Sequence, residues 1–138
     1  MENRRDIFKL AALSVAAAFP MNARVHGVPN AVHDPESASL TQKPFGDERI
    51  FFDGRTTQLK ALTAGSLMLH PGQEPHPPHQ HPEEEIMLVT EVQGEILVEG
   101  VKHKVEPGAM MYCEGNQLRG VKNTSDEPFV FYFYKWQA

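Results

Sequence analysis

From Glu48 onward, apolar residues do not recur at helical spacing over any convincing stretch. Apolar runs of strand length recur instead: Ile50–Phe52, Leu59–Leu69, Ile86–Val89, Glu95–Val98, Val101–Val105, Met110–Cys113, Leu118–Val121 and Phe129–Trp136. The breaks between them carry turn formers: Pro71-Gly72, Gln93-Gly94, Glu99-Gly100, Pro107-Gly108, Gly115-Asn116 and Ser125-Asp126. Many short strands at this spacing predict an all-β domain closed as a jelly-roll sandwich or barrel. The last run, Phe129-Val-Phe-Tyr-Phe-Tyr-Lys-Trp136, is apolar on both faces. A strand of that kind is covered on both sides. A second subunit would supply the outer cover, so a homodimer is expected.

The first residues have another character. Residues 1–27 begin with positive charge and continue through a short apolar stretch from Leu10 to Phe19. The stretch is too brief to span a bilayer. Arg4 and Arg5 stand just before it, followed by Asp6, Ile7, Phe8 and Lys9, which resembles a twin-arginine export signal. Cleavage after Ala18 or after Ala23 fits equally, and an amphipathic helix that stays attached is the competing reading. The expectation is therefore a periplasmic or extracellular protein with no stable membrane insertion once the signal is removed. Residues 28–46, with Pro29, Pro35 and Pro44, read as an extended arm with little structure of its own, and residues 47–138 as the folded domain.

Composition narrows the picture further. Eighteen acidic residues against 13 lysines and arginines give a net charge of −5, which argues against a nucleic-acid partner. The single cysteine, Cys113, excludes an intramolecular disulfide and a cysteine-rich zinc site. Its apolar neighbours Met110, Met111 and Tyr112 suit a buried, inert thiol.

Chemistry concentrates in the histidines. Four of the seven lie between His70 and His81. In extended chain, residues i and i+2 project to one face, so the imidazoles of His79 and His81 point the same way. Glu85 follows four positions later, and a turn at Pro82 would return its carboxylate over the same interior. Two imidazoles and one carboxylate form a facial triad that accepts iron, manganese, zinc, nickel or copper. His76 reads as a loop residue, His70 and His103 as ordinary strand or turn residues, and Glu83 and Glu84 as a solvated turn.

The segment from Gly72 to Gly94, GQEPHPPHQHPEEEIMLVTEVQG, resembles the first motif of the cupin superfamily. That resemblance places His79, His81 and Glu85 on the family's metal-ligand positions. Gly72 stands one residue further from His79 than usual, and the closing glycine is replaced by Val92. The segment from Gly108 to Asn123, GAMMYCEGNQLRGVKN, has the spacing of the second motif. Gly108 and Asn123 match it, whereas Glu114 replaces a proline, Asn116 a glycine and Arg119 the metal histidine. The resemblance covers roughly residues 47–136 and implies a single-domain jelly-roll cupin binding one divalent metal ion (iron, manganese or zinc). It implies a small-molecule ligand or substrate and names no catalytic residue, because this fold hosts many chemistries.

Arg119 divides the readings. A guanidinium carries its charge at all ordinary pH and offers a metal no lone pair. In one reading the metal stays on His79, His81 and Glu85 while Arg119 binds an acidic substrate, giving dioxygenase-like or isomerase-like action. In a second the metal is lost, Arg119 pairs with Glu85, and a non-catalytic barrel binds a small anion. In a third Arg119 faces solvent and Gln117, Glu114 or His76 completes the site.

Overall fold

The computed structural model describes residues 27–138; the export-signal reading of residues 1–27 falls almost wholly outside them. Nine strands follow in chain order: β1 (Ser39–Lys43), β2 (Gly46–Gly54), β3 (Ala61–Leu69), β4 (Glu84–Glu91), β5 (Gly94–Val98), β6 (Val101–Val105), β7 (Met110–Cys113), β8 (Arg119–Lys122) and β9 (Phe129–Gln137). A six-stranded antiparallel sheet runs β1-β2-β3-β9-β4-β7, and a three-stranded one runs β6-β5-β8. Each of the eight apolar runs lies on a strand, β2 to β9.

Period-two alternation explains why the sheets close on each other. On β9, Phe129, Phe131 and Phe133 are buried inward, while Tyr134 is 36% exposed on the outer side. On β4, Glu85, Met87 and Val89 turn in between the half-buried Ile86 and Leu88. These inward residues meet Leu67 and Leu69 of β3, Ile96 of β5 and Val121 of β8 in one apolar cluster between the sheets. Cys113 belongs to it, and burial pushes its thiol pKa up. The sequence reading holds for one side of β9. Its other side is only partly covered, and on β7, beyond β4 in the same sheet, Met110 and Tyr112 are 65% and 56% exposed.

Two features bear on the reading of residues 28–46 as an extended arm with little structure of its own. A short 3₁₀ turn forms at Pro35–Ser37, and Ser39–Lys43 pairs along its length with β2. All five side chains of β1 are exposed. The strand is therefore held by backbone hydrogen bonds and shows no apolar alternation. The hairpin carries Phe45 against the core and delivers Gly46 to a spot where a Cβ would lie 1.7 Å from the Met68 carbonyl oxygen.

Two departures from the motif glycines also acquire a meaning. Val92, where the first motif closes, has φ of 51°, and Asn116 has φ of 63°. The backbone thus keeps the left-handed turn that glycine adopts freely. Asparagine tolerates that region well, whereas a β-branched valine there is strained by about 1–3 kcal/mol.

Candidate functional site

The histidine segment is held by stiffness and by β8. Prolines at 75, 77 and 78 restrict the loop, and Gly120 lets Pro78 lie directly on β8, since a Cβ there would come within 3.0 Å of the Pro78 ring. His79 then exchanges both backbone hydrogen bonds with Arg119, at 2.9 and 3.0 Å. Further along, the Asn116 amide donates to the His81 carbonyl oxygen at 2.7 Å. The two motif segments are therefore joined through their backbones before any side chain acts.

They face a cavity of about 200 Å³. Its polar side carries His76, His79, His81, Glu85, Arg119 and Lys135, and its apolar side includes Leu67, Met87, Phe131 and Phe133. Glu85, on β4, is 5% exposed, and Arg119 is 1% exposed. One carboxylate oxygen of Glu85 lies 3.2 Å from His81 Nε2 and 3.5 Å from Arg119 Nη1. The guanidinium also donates to the carbonyl oxygens of Glu114 at 2.7 Å and Gln117 at 3.3 Å. Glu83 Oε2 lies 2.9 Å from His81 Nδ1, but the contact lacks the alignment of a hydrogen bond. His79 stands exposed at the mouth, its ring centroid 5.2 Å from that of His81 and 3.8 Å from that of His76.

Burial governs the ionisation of this group. It lowers the pKa of His81 to about 4, with Arg119 pushing the same way. His79 is lowered by burial too, then by His76 and Arg119. Glu85 is raised by burial, against the opposing charges of Lys135 and Arg119. Near neutral pH both imidazoles are uncharged, and His81 has one ring N–H to offer two carboxylates.

The four residues singled out in the sequence are thus gathered around one cavity. Arg119 points inward, which removes the reading in which it faces solvent. Glu114 and Gln117 do not complete a ligand set: their side chains bond each other at 3.2 Å in an exposed position. His76 is a loop residue, as read, and that loop lines the cavity; His103 lies on β6 and His70 directly after β3, both exposed. Lys135, Lys43 and Phe45, which also line the cavity, were not singled out by the sequence. Lys135 had a signal there, since it follows Phe129, Phe131 and Phe133 on the inward parity of β9.

A family model described as a cupin domain matches residues 65–134, more than half of the chain. The chain belongs to the cupin family. The cupin from Shewanella frigidimarina described as RmlC-like superposes with a TM-score of 0.68 at 14% identity, over 80% of this chain and 94% of that one. KdgF from Halomonas sp. gives a TM-score of 0.63 at 18% identity, over 80% and 96%. A predicted oxalate decarboxylase from Thermotoga maritima gives 0.64 at 13% identity, over 78% and 100%. At these identities the likeness carries the cupin fold alone. No curated protein matches the chain.

Cupins typically bind a metal ion, so the fit of this donor set matters. His81 Nε2 and Glu85 Oε1 have a spacing that two ligands of one ion can share. The rest does not fit. His79 stands exposed at the mouth, and no group of three or more His, Cys, Asp or Glu among the described residues is arranged to hold a metal. A metal at about 2.1 Å from Glu85 Oε1 would lie within about 5.6 Å of Arg119 Nη1, given the 3.5 Å between those atoms. At an effective dielectric of about 20, that buried charge repels a divalent ion by roughly 6 kcal/mol or more before relaxation.

Proposed function

We propose that this cupin is a non-catalytic, metal-independent binder of a small organic anion. The observation that carries the reading is the buried guanidinium of Arg119, set against Glu85 where the family pattern has a metal-binding histidine. A fixed cation there takes over the charge role of a metal ion while offering no coordination site. The cavity beside it is lined by three cations, Lys43, Arg119 and Lys135, against two carboxylates, Glu48 and Glu85. Its net charge is positive, which favours an anion. Neither KdgF nor the predicted oxalate decarboxylase supplies a substrate, since their likeness extends to fold only.

Elemental analysis tests the reading. The wild type, Arg119→His, His79→Ala and His81→Ala are purified without chelators, soaked in iron, manganese or zinc, and desalted. The wild type should retain only trace metal, and Arg119→His should gain it. A wild type loaded with stoichiometric metal that either alanine variant abolishes would restore the metal-bound reading, with Arg119 left to hold substrate.

A further inference from the structure

The three cations of the cavity are not equally free. Arg119 is committed to the Glu114 and Gln117 carbonyl oxygens and to Glu85, and almost no surface of it is accessible. Lys43 pairs with Glu48 at 3.8 Å. Lys135 is half-buried on β9 and has no ion-pair partner within 4.0 Å among the described residues. Its ammonium stands 5.6 Å over the Phe133 ring. It faces Glu85 across the β4–β9 register without touching the carboxylate. An ammonium aimed into a cavity and left unclaimed is what a ligand's charge would meet first.

The remaining walls define the rest of the ligand. The apolar side of the cavity is formed by Phe131, Phe133, Leu67 and Met87, each at most 6% exposed. None of these side chains offers a hydrogen-bond partner to a hydroxyl, and a buried hydroxyl without one costs free energy. The volume sets the scale of the part of a ligand that the open cavity can take in. At roughly 30 Å³ per water, 200 Å³ holds about seven waters, or a molecule of about seven to nine non-hydrogen atoms. Three cations against two carboxylates leave one positive charge, which a monoanion neutralises and a dianion overshoots.

We infer that the ligand is a small monocarboxylate with an apolar, unhydroxylated body, and that Lys135 rather than Arg119 is its counter-ion. The inference rests on the anion-binding reading above and narrows it to a class. Arg119 then sets the potential of the wall, and the ligand's carboxylate is held at the end of β9. The aromatic side chains of the same strand take the body.

Titration calorimetry on the full chain tests this with four probes: benzoate, its neutral counterpart benzyl alcohol, gluconate and oxalate. Benzoate should bind at least about tenfold more tightly than each of the others. Lys135→Met should weaken benzoate by about tenfold or more and leave benzyl alcohol within about twofold. Lys135→Arg should recover most of the loss. Because the neutral probe reads the cavity without the charge, a misfolded Lys135→Met would lose both ligands, and the Lys135→Arg comparison then decides. Unchanged benzoate affinity in Lys135→Met overturns Lys135 as counter-ion. Gluconate or oxalate binding as well as benzoate overturns the apolar class while leaving anion binding intact. If no anion binds at millimolar concentration, the underlying reading fails with it.

Discussion

The two ends of β8 hold the two most deeply buried polar side chains of the second motif, and they are built on opposite principles. Asn123, just past the strand and 0% exposed, is neutral and saturated. Its amide donates to the Leu69 and Glu127 carbonyl oxygens at 2.9 and 2.7 Å, and its oxygen accepts from the Ser125 amide and hydroxyl at 2.9 and 2.7 Å. Arg119, at the other end, is charged, and two of its three polar contacts are long, at 3.3 and 3.5 Å. Asn123 matches the family pattern and closes a loop; Arg119 departs from it and faces a cavity. A saturated neutral group fixes one backbone arrangement. A buried charge held by one short contact and two long ones instead sets the potential of the cavity it faces.

The contrast breaks most visibly at the saturated end. Asn123→Leu removes the side-chain donor to the Leu69 and Glu127 carbonyls and leaves the Ser125 amide without its acceptor. It should lower the free energy of unfolding by about 3–5 kcal/mol, independent of pH between 5 and 8. Urea titration reads this directly, and a cost near zero would show that water replaces the side chain freely.

At the charged end the loss should be smaller and should depend on pH. Arg119→Met removes the cation in contact with Glu85, leaving only the more distant Lys135, and should cost about 2–3 kcal/mol at pH 7. Burial already raises the Glu85 pKa, and removing the guanidinium raises it further. A carboxyl whose folded pKa exceeds its unfolded one is favoured by acid, and its contribution fades as pH rises through the folded value. The defect should therefore shrink on acidification from pH 7 towards 5. A defect as flat with pH as that of Asn123→Leu would mean that Glu85 is not what suffers.

The smallest effect isolates His81. Its folded pKa is about 4 against an ordinary 6.5, so the unfolded chain binds the proton first as pH falls between those values. Stability present above 6.5 is lost progressively down to 4. Discounted for partial exposure, the loss is roughly 1–2 kcal/mol. Melting curves of wild type and His81→Asn should converge or cross over that interval, and parallel curves would place the proton elsewhere.

How much of this was legible in the sequence follows from the same physics. The strands β2 to β9 alternate because one face is buried, so their apolar runs are visible in the text. β1 has five exposed side chains and is attached by backbone alone, and composition carries no trace of such pairing. Within the site, the spacing of His79, His81, Glu85 and Arg119 was enough to bring them to one cavity. The direction of Arg119 was not readable, because it depends on carbonyl oxygens of Glu114 and Gln117 that any residue type would provide. Lys43 and Phe45 reach the cavity only because the β1–β2 hairpin folds across it.

The cavity draws Lys43 and Phe45 from the start of the described chain and Phe131, Phe133 and Lys135 from its end. β9 lies between β3 and β4, and Ala61 is paired with Gln137. Contacts between such distant segments close late and slowly, because the chain loses loop entropy before it gains them. The binding wall is thus built from contacts of long sequence separation. Occupancy of the cavity therefore reports that residues 43 to 135 have folded together, from β1 to β9.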